Sequence, residues 1–194
     1  MPRSPVLAIL DRADPFSART DEPPFRGRDM RALSAITGSE ASLVAIARDN
    51  EAAPKRRYAA AEALVEGTFS KWRSSAAANR GVAQALAMAM RNDSSHNRWG
   101  LPGEFTGRLG DHFLSLSHGV DEALTPLLDE QAELHIMGSE AATLQAQAHF
   151  RIADLAAYLL SRYHGLPWKT HIGIAQRDRA TARLRGLLKK VSRS

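Results

Sequence analysis

Apolar residues recur at helical spacing along nearly the whole chain, and this pattern limits the fold more than any other feature of the sequence. Alanine is frequent, whereas runs of alternating β-branched or aromatic residues are nearly absent. A period near 3.6 residues is that of an amphipathic helix, while a half-buried strand has a period of two. The sequence therefore predicts an all-α fold, and its 194 residues suit a single helical domain over 1–194.

Prolines, glycines and helix-capping residues divide the pattern into separate predicted helices. Residues 13–29, rich in proline and charge, predict an irregular surface segment. Ser39 is expected to cap a helix, and Pro126 is expected to bend one. Loops are predicted at 92–104 and 131–140. The predicted helices span 5–12, 30–37, 39–49, 54–66, 79–91, 104–116, 120–130, 141–164 and 175–191.

Two stretches of the chain resemble HEAT-type helical repeats. One is LVAIARDNEAAPKRRYAAAEALVEG at 43–67, and the other joins EALTPLLDE at 122–130 to the helix at 150–165. The resemblance implies a short irregular α-solenoid of stacked antiparallel helix pairs, with residues 175–194 as a basic C-terminal capping helix. A single pair of about 40 residues cannot bury its apolar side alone, so several pairs must stack.

The same resemblance implies a ladder of ion pairs inside the stack. In that family an aspartate that ends the first helix of a unit often meets an arginine that opens the second. Here the pairing would join Asp49 to Arg56 or Arg57. It would also join Asp129 to Arg151.

A polar stripe along the predicted helix 141–164 is the sharpest candidate for a binding surface. Its members recur at helical spacing, and second helices line the concave face of HEAT-like stacks. Exposed Arg, Tyr and Asp side chains there would suit a protein partner. The structural alternative is that Arg151 only holds Asp129 and Asp154. The stripe consists of Gln147, Arg151, Asp154, Tyr158 and Arg162.

Two loops supply further candidate contacts. His96, Arg98 and Trp99 share the loop 96–104, and tryptophan and arginine are enriched in interface hot spots. The structural alternative is that Trp99 plugs the end of the stack. The loop 135–143 supplies Glu140, with the alternative that this segment only starts the following helix.

The positive charge of the chain lies almost entirely in its last 20 residues. The formal net charge is +5; residues 175–194 carry +6, and the remaining 174 residues carry −1. Such a helix could contact phosphate or an acidic protein, or it could be a solvated face with cations near its C-terminus. The candidate anion contacts are Arg177, Arg179, Arg183, Arg185, Lys189 and Lys190.

Several classes of function are excluded by what the sequence lacks. It has no cysteine, so disulfides, zinc–thiolate sites and iron–sulfur clusters are excluded. It has no Walker, Rossmann, nucleophile-elbow or zincin motif, and no two of its seven histidines are spaced for a shared metal on one helix. No apolar run approaches the ~18 residues of a membrane span, and the N-terminus makes a poor signal peptide.

We therefore expect a cytoplasmic, non-enzymatic module without cofactor or metal. It would bind a protein partner or act as a scaffold through the concave face of a HEAT-like stack. One alternative is a HEAT-like protein that binds nucleic acid through its basic C-terminal helix. Another is a HEAT-like lyase that acts on a chromophore or other small ligand; only the shared architecture favours it.

Overall fold

The computed structural model of the chain describes residues 4–13, 25 and 27–191. These residues are mainly helical, which confirms the all-α prediction. The α-helices are α1 (Pro5–Leu10), α2 (Gly27–Ala35), α3 (Ser39–Arg48), α4 (Pro54–Glu66), α5 (Ala76–Asn92), α6 (Arg108–Leu114), α7 (Val120–Leu124), α8 (Ser139–Ala148), α9 (Ile152–Tyr163) and α10 (Ile174–Val191). Short 3-10 helices cover Lys71–Ser74 and Thr125–Asp129, and strands β1 (Gly100–Leu101) and β2 (Phe105–Thr106) form an antiparallel hairpin.

The chain divides into two compact units. The first takes the chain up to residue 94 together with residues 115–123. The second takes residues 95–114 and the chain from residue 124 onward. The prediction of a single HEAT-like domain over 1–194 stays a prediction.

The first unit is built around α4, which packs against α1, α3 and α5. Residues 57–64 of this helix are all buried, and four of them are alanine. Small side chains allow neighbouring helices to approach from several sides at native packing density. Glu62 lies within this run and is fully buried.

The start of α3 differs by one residue from the expectation. The helix begins at Ser39 itself, and Gly38 takes the N-cap position that we predicted for Ser39. Gly38 has φ 77°, in the left-handed region that glycine adopts without a steric penalty. The chain therefore turns at Gly38, directly after α2 and before α3.

The second unit is built around α9, whose residues from Ile152 to Ser161 are all buried. This helix packs against α6, α10 and the 3-10 helix Thr125–Asp129. The predicted helix 120–130 is interrupted at Pro126: α7 ends at Leu124, and a 3-10 helix follows over Thr125–Asp129. Proline has no backbone N–H and cannot continue the α-helical hydrogen-bond ladder.

The predicted continuous helix 141–164 is wrong, because the chain leaves the helical path between α8 and α9. His149 has φ 51°, and Phe150 is fully buried. Two backbone hydrogen bonds tie this break to the segment before α8: Leu134 N–H donates to Phe150 O over 2.8 Å, and Ile152 N–H donates to Ala132 O over 2.9 Å. The burial of the Phe150 ring and these two hydrogen bonds favour an extended backbone here over a continued helix.

The predicted helix 104–116 begins later than expected. Phe105 pairs with Leu101 across the hairpin of β1 and β2, so helix α6 starts at Arg108. Gly103 lies in the turn of this hairpin and has φ 81°.

Parts of two predicted segments lie outside the described residues. For the irregular segment 13–29 these are residues 14–24 and 26, while residues from Gly27 onward belong to α2. The predicted C-terminal helix is confirmed as α10 up to Val191, and residues 192–194 are outside the description. In the part of the chain that the structure describes, no helix has both the length and the apolar character needed to cross a bilayer.

Candidate functional site

The predicted polar stripe does not form a continuous surface. Gln147 belongs to α8 and Arg162 to α9, and both are exposed. The other three members are buried: Arg151 is 7% exposed, Asp154 is 0% exposed and Tyr158 is 5% exposed. The break at His149 changes the direction of the chain, so helical spacing across it does not place these side chains on one face. The expectation of an exposed stripe at Arg151, Asp154 and Tyr158 is therefore wrong.

A buried ion-pair cluster replaces the middle of that stripe. Asp154 accepts hydrogen bonds from the Arg151 backbone N–H over 2.8 Å and from its side chain over 3.1–3.2 Å. These contacts cap the start of α9. Arg151 also reaches Gln131 over 2.6 Å and Asp178 of α10 over 2.7 Å. The hydrogen bond that Arg151 donates to Asp154 raises the pKa of Arg151 against the opposing effect of its burial.

The repeat resemblance also implies an ion pair between Asp129 and Arg151, and this prediction is wrong. Asp129 pairs with Arg185 of α10 over 2.6 Å, and not with Arg151. Asp129 lies on the exposed end of the 3-10 helix, whereas Arg151 is buried beside Asp154.

The first implied ion pair is not formed either, since neither Arg56 nor Arg57 pairs with Asp49. Arg56 pairs with Asp11 over 2.6 Å, and this hydrogen bond raises the pKa of Arg56. Arg57 donates to the Ala47 carbonyl over 3.4 Å. Burial lowers the pKa of Arg57, and the charge of Asp49 partly opposes this.

The two candidate loops contact each other, so most of their predicted contact residues are enclosed. The His135 backbone N–H donates to His96 Nδ1 over 3.0 Å, and the Asn97 side chain donates to the Met137 carbonyl over 2.6 Å. His96 is 1% exposed, and Trp99 is fully buried beside Phe113.

For the loop 96–104 the structural alternative is thus the better description. Arg98 is buried as well, so the expectation that His96, Arg98 and Trp99 are exposed partner contacts is wrong. Glu140 in the first turn of α8 is exposed. Among the candidate contacts on these two loops, only Glu140 remains accessible to a partner.

The basic residues of α10 divide into three groups. Arg177 is 1% exposed and bonds to Asp154 over 3.0 Å, so its predicted role as an anion contact is wrong. Arg185 is partly exposed and is held by Asp129. Arg179, Arg183, Lys189 and Lys190 are exposed.

Arg179 and Arg183 border a groove of about 550 Å³ in the second unit, which we call the basic groove. One wall is a single stripe of α10, and the other is the segment that follows α9. The α10 residues recur at i, i+3, i+4, i+7, i+8 and i+11, as one face of a helix does. The lining consists of Pro167, Trp168, Lys169, His171, Gln176, Arg179, Ala180, Arg183, Leu184 and Leu187.

The cations of the basic groove have no partners in the described chain. Lys169, Arg179 and Arg183 form no ion pair with any described residue, and neither does the imidazole of His171. The lining contains no acidic residue. The same lining includes four apolar side chains, which we call the apolar floor: Trp168, Ala180, Leu184 and Leu187. The groove therefore offers positive charge around a surface that favours burial of apolar groups.

Buried contacts hold the wall opposite α10 in place. Arg177 donates to the His171 carbonyl over 3.1 Å and also to the Ile172 carbonyl. Thr170 donates to the Pro102 carbonyl over 3.2 Å. The ring of Trp168 lies 6.1 Å from that of Tyr158, centre to centre. Arg177 thus fixes the segment after α9, which forms the wall of the basic groove across from Arg179 and Arg183.

The groove residues Trp168, Lys169 and His171 were not among the candidates from sequence. Their signal was the run LPWKTH after the end of α9, which combines an aromatic ring with two basic side chains next to a basic helix. Within either unit taken alone, the described residues place no three metal-ligating side chains within reach of one ion.

Comparison of the chain with protein-family models, with curated proteins and with solved structures finds no match.

Proposed function

We propose that the protein is a binding module whose basic groove holds an acidic amphipathic helix from a partner protein. The observation that carries this proposal is the set of unpaired cations around an apolar floor. A helix with leucine-type residues on one face and carboxylates beside them matches both properties. Arg179 and Arg183 lie one helical turn apart, so two carboxylates one turn apart on the partner would meet them.

The stacked-hairpin architecture belongs to the same proposal. In the first unit α3 and α4 form a helix pair with Pro54 in the first turn of α4, and α5 packs on both. This arrangement supports a HEAT-like solenoid in which loops and terminal helices present binding surfaces. In the second unit the basic groove, and not a stripe on the second helix of a pair, would be the binding surface.

The nucleic-acid alternative loses two of its six contacts. Arg177 is enclosed and Arg185 is held by Asp129. A concave groove with an apolar floor also suits a helix better than a duplex, whose recognition depends on phosphate contacts. A protein partner is therefore the better-supported proposal.

A peptide titration tests the proposal. The probe is a fluorescein-labelled amphipathic peptide with a leucine face and glutamates one turn apart; its control has the same composition in scrambled order. We expect saturable binding of the patterned peptide, measured by fluorescence anisotropy, and much weaker binding of the scrambled one. The double variant Arg179→Glu/Arg183→Glu should weaken binding at least roughly tenfold, because like charges across an interface are repulsive.

The matched control makes the same charge change outside the groove. Arg28 of α2 and Lys189 of α10 are exposed and do not line the basic groove. The variant Arg28→Glu/Lys189→Glu should bind the patterned peptide nearly as well as the unchanged protein. If both variants lost peptide affinity equally, the net charge of the protein, and not the basic groove, would explain the binding. If the protein bound random duplex DNA and did not bind the peptide, the nucleic-acid alternative would be favoured instead.

A further inference from the structure

The basic groove holds more positive charge than two carboxylates can balance. Its permanent cations are Lys169, Arg179 and Arg183, and its lining contains no acidic residue. None of the three forms an ion pair with another described residue. Two carboxylates of a partner helix would therefore leave one cation without a counter-charge inside the interface. A charge that loses its water without gaining a partner lowers the affinity of a complex.

The two arginines lie on the groove side of α10, next to its apolar residues. Arg179 and Arg183 are exposed, and both line the groove. Ala180 and Leu184, which follow them in the chain, belong to the same lining. Residues four apart on a helix are separated by about 6 Å along its axis and by about 40° around it. Two long arginine side chains placed in this way can reach the same anion.

Phosphate matches this pair of guanidinium groups better than carboxylate does. A phosphomonoester carries a charge of about −1.5 to −2 near pH 7 and three strong acceptor oxygens, whereas a carboxylate carries a single charge. Guanidinium is a planar fork whose N–H donors bind phosphate oxygens in pairs. A phosphate in place of one partner carboxylate would also supply the negative charge that balances Lys169, which lies on the other wall.

We propose that the basic groove recognises a phosphorylated partner, in which one of the two acidic positions on the bound helix is a phosphoserine. This inference rests on the proposed function, because the same groove holds the same helix. The phosphate oxygens would accept hydrogen bonds from Arg179 and Arg183, and Lys169 would add positive charge from the opposite wall. The apolar floor would hold the leucine face of the helix. Phosphorylation of the partner would thereby control its binding.

Three fluorescein-labelled peptides test the inference. They share the leucine face and one glutamate, and their second acidic position holds serine, glutamate or phosphoserine. By fluorescence anisotropy we expect the phosphoserine peptide to bind at least roughly fivefold more tightly than the glutamate peptide, because it gains charge-assisted hydrogen bonds. The serine peptide should bind most weakly. A phosphoserine peptide of scrambled order controls for the phosphate alone and should bind much more weakly than the patterned one.

The variant Arg183→Lys separates phosphate recognition from charge. It keeps the positive charge and removes the guanidinium fork, so it should abolish most of the preference for phosphoserine over glutamate. Its affinity for the glutamate peptide should stay within about twofold of that of the unchanged protein, because the charge is retained. Arg28→Lys makes the same exchange on an exposed residue outside the groove and should leave the preference unchanged.

Three peptide results would overturn the inference. These are equal affinity for the phosphoserine and glutamate peptides, equal affinity for the scrambled phosphoserine peptide, or a phosphoserine preference that Arg183→Lys leaves intact. A fourth is displacement of the phosphoserine peptide by random duplex DNA at the same phosphate concentration, which would assign the groove to nucleic acid. If the glutamate peptide binds and phosphoserine adds nothing, the proposed function stands without this inference. If neither patterned peptide binds, both fail.

Discussion

Arg177 and Arg179 are two residues apart on α10, yet they belong to different regions of the second unit. Arg177 is enclosed and bonded to Asp154 and to three backbone carbonyls. Arg179 borders the basic groove and has no ionic partner among the described residues. The difference arises because two residues along a helix rotate the side chain through about 200°.

This contrast shows that a count of basic residues does not measure binding capacity. In the buried cluster every positive charge is already balanced by Asp154 or Asp178 within the unit. In the basic groove the balancing charge has to come from another molecule or from counterions. The first region therefore contributes to stability, and the second is available for recognition. The following predictions test that division.

The largest expected effect is on stability and comes from Asp154. Asp154→Ala leaves Arg151 and Arg177 buried without their shared carboxylate, so the free energy of unfolding should fall by about 3–5 kcal/mol. Urea denaturation followed by circular dichroism measures it. The comparison variant is Asp178→Ala, whose side chain is 57% exposed and which should lower stability by about 1 kcal/mol or less. Equal losses would contradict the distinction between enclosed and exposed partners.

A pair of arginine variants tests the comparison directly. Arg177→Met removes charged hydrogen bonds from the core and should lower the free energy of unfolding by about 2–3 kcal/mol. Arg179→Met should leave unfolding nearly unchanged and weaken binding of the patterned acidic peptide. Both are read by urea denaturation and by fluorescence anisotropy. If Arg179→Met destabilised the fold as much as Arg177→Met, the two arginines would not belong to different regions.

The sequence predicted most helices of both units because their apolar residues keep a 3.6-residue period. It also carried a signal for the burial of Arg177 that we did not use. Arg177, Thr181, Leu184 and Leu188 recur at i, i+4, i+7 and i+11, and all four are buried. Extending the apolar seam of α10 back by two turns would have placed this arginine in the core.

The break between α8 and α9 had no comparable signal. The segment holds neither glycine nor proline, and His149 has positive φ without being glycine. Only Asp154, three residues after Arg151, indicated a helix start there. Tertiary contacts decide this position, since Phe150 is buried and its carbonyl pairs with Leu134. The stripe from Gln147 to Arg162 was therefore a false pattern from two separate helices.

Ionic strength should change peptide binding by the basic groove more than it changes the stability contribution of the Asp154 cluster. The expected change is smaller than those of the substitutions above. Screening acts on exposed charges and much less on buried pairs. Raising sodium chloride from about 0.05 M to about 0.5 M should weaken patterned-peptide binding several-fold, since the Debye length falls well below ~10 Å. The contribution of the Asp154 cluster, taken as the stability difference between the unchanged protein and Asp154→Ala, should change little. A salt-insensitive peptide affinity would assign binding to the apolar floor alone.

The smallest expected effect concerns Asp129, and it tests the repeat resemblance as well. The Asp129 side chain is 78% exposed and that of Arg185 is 36% exposed, so their ion pair should contribute about 1 kcal/mol or less. A double-mutant cycle with Asp129→Asn and Arg185→Met measures the coupling by urea denaturation. In the ladder implied by HEAT-type repeats, Asp129 would instead neutralise Arg151, and its loss would approach that of Asp154. A large effect of Asp129→Asn that persists in the Arg185→Met background would restore that ladder. We expect a small coupling energy between Asp129 and Arg185 alone. Asp129 of the 3-10 helix would then pair with α10, and not with the second helix of a repeat.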